Sequence, residues 1–189
     1  MAQDVITVLK NEHREVEQLL EQLKSREGEL ERILDKVATM LIAHSHGEED
    51  VVYPAVRDAV PDCAGMVEHG KDEHHEVEQL LKKLRATDPD DSAFDEMVDE
   101  LVDDVQDHVE EEESTVLPAF ENATDATTRA QLCERYLTRK NQEMPADAGT
   151  AYPDEMTRDE LYERAKQLDI EGRSKMNKRE LARAVQRQR

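Results

Sequence analysis

The segment EHREVEQLLEQL at 12–23 returns as EHHEVEQLLKKL at 73–84, an offset of 61, with nine of twelve positions identical. A second pair, HSHGEEDVVYPAV at 44–56 and HVEEEESTVLPAF at 108–120, repeats at an offset of 64 and keeps the His, two Glu and Pro-Ala in register. A unit repeated in this way buries the same face twice, so the chain is constrained to a duplicated hairpin.

Each copy reads as two helices, because apolar residues recur at steps of three and four. The first helix carries Val5, Leu9, Val16, Leu20 and Leu23, and the second Leu30, Leu34, Val37, Leu41 and Val51, ending near Pro54. After a break at Gly70 the third carries Val77, Leu81 and Leu84, and the fourth Phe94, Met97, Leu101 and Val105. No Trp and only 3% aromatic residues argue against a sandwich or barrel. Four stripes joined by short polar connections predict an all-α fold, an up-down-up-down four-helix bundle, with a fifth, capping helix over 125–142.

The formal net charge of −21 excludes a body built mainly to bind nucleic acid. The N-terminus MAQDVITVLKNEH is charged within ten residues and no window approaches a membrane span, so the expectation is a cytoplasmic protein with no signal peptide and no membrane partner. Cys63 and Cys133 have no CxxC spacing and read as reduced thiols. Pro, Gly and Ala interrupt the periodicity over 143–155, which predicts a linker between a domain at 1–142 and a small helical module at 156–189. Residues 1–153 hold 15 basic and 38 acidic residues, a balance of −23, whereas 154–189 hold 10 and 8, a balance of +2.

Histidines and glutamates interrupt the apolar stripes. His13 follows Leu9 on the first helix, His44 and Glu48 follow Leu41 on the second, His74 precedes Val77 on the third, and His108 and Glu112 follow Val105 on the fourth. Burying these groups without partners costs several kcal/mol each, on the order of the penalty for unpaired buried polar groups. A pair of divalent metal ions compensates them most economically, since a His and a Glu four apart share a helix face and the duplication doubles the half-site. Imidazole and carboxylate without thiolate favour iron, with manganese and zinc behind it. His46 and His75 lie off the stripes and read as solvent-exposed, and Glu49 reads as a solvated or supporting carboxylate.

The pattern His13, His44-Ser-His-Gly-Glu48, His74, His108-Val-Glu-Glu-Glu112 resembles that of the hemerythrin-like (HHE cation-binding) proteins over about residues 1–140. The resemblance implies a four-helix bundle holding two iron ions, oxo- or hydroxo-bridged, that meet dioxygen, peroxide or nitric oxide. Oxygen-carrying members have five histidines, with an HxxxH pair on the third helix, and position 70 here is Gly. A break at Gly70 would swing His69 inward as the missing ligand. Carriers place an acidic residue five after the last His, the spacing of Glu113, so Glu112 and Glu113 compete as the bridge, with the register of Glu48 favouring Glu112. Tyr53, opposite Leu117 in the repeat, is either a phenol serving the chemistry of the site or a core aromatic.

The tail at 156–186 resembles the small helical module at the N-terminus of transcription terminator Rho, related in shape to SAP-type modules. Thr157 with Glu160 and Asn177 with Glu180 read as capping boxes, and Arg179, Arg183 and Arg187 form a basic edge suited to phosphates. Two functions are therefore expected: a di-iron protein of oxidative, nitrosative or iron stress, with catalase-like turnover as its enzymatic form, or a redox or gas sensor whose tail binds nucleic acid weakly. For the tail alone the alternative is a hairpin that docks or solubilises; metal storage, a third reading, would need more ions per chain than the two for which this core offers ligands.

Overall fold

The computed structural model describes residues 3–143 and 158–167 together with 170, 172–173, 176–178, 180–181 and 184. It divides into two compact units, residues 1–143 and 144–189. All regular elements among the described residues are helical: α1 (Val5–Lys24), α2 (Leu30–Gly47), α3 (Tyr53–Ala59), α4 (Ala64–Ala86), α5 (Ser92–Glu111), α6 (Leu117–Ala123), α7 (Ala126–Glu143) and α8 (Arg158–Gln167). Two π-helical turns, Glu48–Val52 and Glu112–Val116, join α2 to α3 and α5 to α6.

In the first unit α1 packs on α2, α2 on α4, α4 on α5 and α5 back on α1, which closes the four-helix ring. The capping helix α7 lies against α1, α2 and the first π turn. Asp4 and Asp91 cap α1 and α5, each accepting a hydrogen bond at 3.0 Å from the backbone N–H two residues on. The α1–α2 connection turns through positive φ at Arg26 and Gly28. Arg26 donates from there to Asp95 Oδ1 and to the Pro89 carbonyl, each at 2.7 Å, tying the connections at this end together.

Two apolar cores fill the ring. One gathers residues such as Leu20, Leu34, Leu81 and Leu101; the other gathers Val5, Leu9, Tyr53, Val67, Phe120 and Tyr136. On every helix of the ring the polar interruption falls between these cores, so the fold suspends one buried polar layer between two apolar ones.

Two expectations about helix ends need correction. Pro54 does not end the second helix. A proline N lacks a hydrogen and its ring crowds the carbonyl four residues back, so the helix widens before it, and the Tyr53 N–H bonds to the Glu48 carbonyl. Pro118 does the same to Leu117 and Glu112. Nor does Gly70 break the third helix, because α4 runs through it from Ala64. The glycine is there for space: a Cβ at 70 would lie 2.8 Å from the Tyr53 hydroxyl.

In the second unit Leu161 and Ala165 of α8 bury against Leu181, with Tyr162, Ile170 and Met176 beside them. The Asn177 N–H donates to Glu180 Oε2 at 2.7 Å and the Glu180 N–H to Asn177 Oδ1 at 3.0 Å, the reciprocal box expected from the sequence. Thr157, Arg179, Arg183, Arg187 and residues 144–155 of the expected linker lie outside the described residues.

Candidate metal centre

His13, His44, Glu48, His74, His108 and Glu112 are all buried in the polar layer. Their ligand-type atoms form two overlapping groups, His13, His44, Glu48 and Glu112, then Glu48, His74 and His108, each within 4.8 Å. Glu48 belongs to both. The π turns begin at Glu48 and Glu112, so both carboxylates stand where the helix changes pitch.

Each imidazole is held from behind by a carboxylate. Nδ1 of His13 meets Glu113 Oε1 at 2.9 Å, that of His44 meets Glu12 Oε2 at 3.0 Å, that of His74 meets Glu49 Oε1 at 2.9 Å, and that of His108 meets Glu73 Oε2 at 2.8 Å. An ionised carboxylate only accepts, so every Nδ1–H donates outward and, in the neutral ring, every Nε2 lone pair faces inward.

The inward atoms are short of partners. Glu48 Oε2 lies 3.2 Å from His44 Nε2 and 3.5 Å from His74 Nε2, and Glu112 Oε2 lies 3.5 Å from His13 Nε2. None of His13 Nε2, both Glu48 oxygens and Glu112 Oε2 has a hydrogen-bond partner. With both rings neutral and Nδ1 protonated, His74 Nε2 and His108 Nε2 are two acceptors face to face at 3.2 Å; with His74 protonated, its Nε2–H donates to His108. Lone pairs and carboxylate oxygens converging without donors fit a divalent cation, and the donors are nitrogen and oxygen; the cysteines, buried and unpaired, belong to neither group.

Without metal the protons redistribute. Burial opposes charge on His44, but the Glu48 and Glu12 carboxylates override it and push its pKa up to about 10. His74 is similarly raised to about 9 against burial by Glu48 and Glu49. Burial and then the His44 charge lower His13 to about 4, and burial with the Glu48 charge raises Glu112 to about 7.

Tyr53 is 2% exposed, donates to Glu112 Oε1 at 2.9 Å, and stacks on His74 with ring centroids 5.7 Å apart and planes 6° apart. It stands over Gly70. His69 is not brought into the layer. Since α4 is continuous through Gly70, no break swings His69 inward, and its side chain is 62% exposed, with Nε2 3.3 Å from Glu73 Oε1. Glu113 lies behind His13 rather than between the groups, and its Oε2 accepts from Arg14 at 2.6 Å. His75 is exposed and His46 half-buried.

Sequence reasoning missed Glu12, Glu73 and Tyr136. A signal was present for the first two, because a Glu directly precedes His13 and His74 in both copies of the repeat. Tyr136, on α7 outside the repeat, offers no such signal. Its hydroxyl donates to Glu12 Oε2 at 2.6 Å, and its ring covers Gly47, where a Cβ would lie 2.5 Å from Cε2.

No helix is long and apolar enough to cross a membrane, among the described residues. Over 137 residues, 71% of this chain, it is 28% identical to a DNA nickase of Nostoc sp. (strain PCC 7120), and the match covers 38% of that protein. The chain thus spans well under half the length of this curated relative. No solved structure matches it. Residues 4–120, a stretch that contains all six buried His and Glu of the layer, match the family described as the hemerythrin HHE cation binding domain, and the chain belongs to that family.

Proposed function

We propose that the first unit is a non-haem di-iron protein that reacts with dioxygen, hydrogen peroxide or nitric oxide, with catalase-like peroxide turnover as its enzymatic form. The observation that carries this reading is the inward convergence of four Nε2 atoms and two carboxylates with orphaned oxygens. His13, His44, Glu48, His74, His108 and Glu112 would hold the ions, with manganese or zinc as the alternative metals. Bound iron supplies redox change and a Lewis-acidic position for a small molecule.

The chain's own groups do the rest. Glu12, Glu49, Glu73 and Glu113 fix the imidazoles in one tautomer and raise their basicity. Tyr53 holds Glu112 Oε1 with its hydroxyl proton. A cavity of about 30 Å³, walled by Val16, Leu41, Val77, Val105 and Val109 beside the four histidines, admits a small molecule and little water. Such a protein would serve in oxidative, nitrosative or iron stress in the cytoplasm.

Oxygen evolution from peroxide by the iron-loaded chain, absent from the metal-free chain, tests the reading. An optical change on oxygenation that reverses on degassing, without peroxide consumption, would instead make it a carrier.

A second reading is favoured by the nickase likeness: a redox or gas sensor whose basic module at 156–189, Rho-like in pattern, binds nucleic acid. At 137 residues the likeness is longer than the whole second unit, residues 144–189, so it includes part of the bundle. Nucleic-acid binding that changes with the oxidation state of the iron would support this reading. Nicking of supercoiled plasmid would place the activity of the relative in the shared segment.

A further inference from the structure

The duplication gives the buried layer two equivalent mouths, and the structure fills them differently. By the offsets of 61 and 64, Val8, Glu12 and Gly47 correspond to His69, Glu73 and Glu111. At the first mouth the outward oxygen of Glu12, Oε1, meets the Lys140 ammonium at 2.6 Å, and Tyr136 covers Gly47. At the second, Glu73 Oε2 accepts from His108 Nδ1–H at 2.8 Å and Oε1 faces His69 Nε2 at 3.3 Å.

The ligand-type atoms of His69, Glu73 and Glu111 lie within 4.8 Å of one another. Where the first mouth is closed by a cation of the chain itself, the second offers an imidazole and two carboxylates to a cation from solution. His69 and Glu73 also repeat the His-x-x-x-Glu step of His44/Glu48 and His108/Glu112. Behind them lies a cavity of about 10 Å³, lined by Tyr53, Gly70, Glu73, His108, Glu111 and Glu112, with room for about one water-sized particle. Its inner wall includes Glu112, 5% exposed, whose Oε1 accepts from the Tyr53 hydroxyl and whose Oε2 faces His13 Nε2 in the buried layer, so the cavity borders that layer.

We propose that His69, Glu73 and Glu111 form an outer site for a divalent transition-metal ion, the first stop for ions entering the buried layer past Gly70. One nitrogen and two carboxylate donors suit Fe²⁺, Mn²⁺, Co²⁺ or Zn²⁺. With His69 largely exposed, the site exchanges its ion readily. This inference rests on the reading of the buried layer as a metal centre, and its test separates the two.

Equilibrium dialysis of the full chain against Co²⁺ counts the ions. The parent and His75→Ala, an exposed control on the same helix, should each bind three per chain, and His69→Ala and Glu111→Gln two. The difference between parent and His69→Ala tests the outer site; the number that His69→Ala retains tests the buried centre. Equal counts for parent and His69→Ala, whatever their value, overturn the outer site. Stopped-flow absorbance of Co²⁺ filling the buried centre should be about tenfold slower in His69→Ala, the loss of local cation capture. An unchanged filling rate overturns the entry role. Because His69 is exposed, its replacement leaves the packed core untouched.

Discussion

The Tyr53 hydroxyl occupies the space that a side chain at position 70 would need, 2.8 Å from where its Cβ would lie. A residue at the end of one hairpin has thus displaced the side chain from a helix of the other. Gly70→Ala should gain up to about 1 kcal/mol in helix propensity and lose about 1–3 kcal/mol to overpacking against Tyr53. In a Tyr53→Phe background the 2.8 Å contact is gone and the ring Cζ at 3.3 Å remains, so the same change should cost less. Thermal melts of the four proteins in a double-mutant cycle check this; additive effects would separate Tyr53 from Gly70.

Glu12 links three elements, since it accepts from His44 and Tyr136 through Oε2 and from Lys140 through Oε1. Glu12→Gln should weaken metal affinity by about 10- to 100-fold, the usual effect of removing the carboxylate behind a ligating imidazole. Glu17→Gln on the same helix should leave it unchanged. Competition with a chromophoric chelator measures both, and equal affinities would remove Glu12 from the support of His44.

The duplication, the apolar stripes and the His-x-x-x-Glu steps were legible because each recurs in register. Pro54 and Gly70 were legible as residues but not as structure. Proline carries the same local signal whether a helix stops or widens into a π turn. A glycine inside a helix reads as a weak point, whereas here the Tyr53 ring fills the vacated space. The carboxylates behind the histidines depend on how the hairpins are rotated: Glu12 serves His44 and Glu49 serves His74, neither its own neighbour. Tyr136 reaches the site from a helix that has no repeat partner.

The proton distribution predicts opposite pH responses for the two forms. In the metal-free chain His44 and His74 have pKa values raised to about 10 and about 9, so the stability they contribute is complete below their unfolded value near 6.5 and lost as pH rises through 9 and 10. Metal requires those imidazoles deprotonated, so the stabilisation by metal grows over the same range. Melting temperature should therefore fall from pH 7 to 10 without metal, while the increment on adding metal rises. A metal-free protein whose melting temperature is flat across that window would contradict the assignment.

Residues 1–153, at −23, repel phosphate, so nucleic-acid binding, if it drives a sensor, would reside in the module at 156–189. With about three to five phosphates neutralised, affinity should drop about ten- to a hundredfold between roughly 50 and 200 mM salt. Titration of labelled DNA and RNA with the full chain and with an Arg179, Arg183, Arg187→Ala variant checks it. Absence of binding by the parent at low salt leaves the tail a docking or solubilising element.

Under the proposed function, one buried layer of four histidines and two glutamates holds two metal ions. Elemental analysis of the full chain after anaerobic reconstitution with Fe²⁺ and removal of loosely held ions tests it most directly, with His44→Ala alongside. Two tightly held ions per chain are expected, and in His44→Ala a loss of metal together with a lower melting temperature. One ion or none in the parent, or a His44→Ala chain with the metal content and melting temperature of the parent, would contradict it.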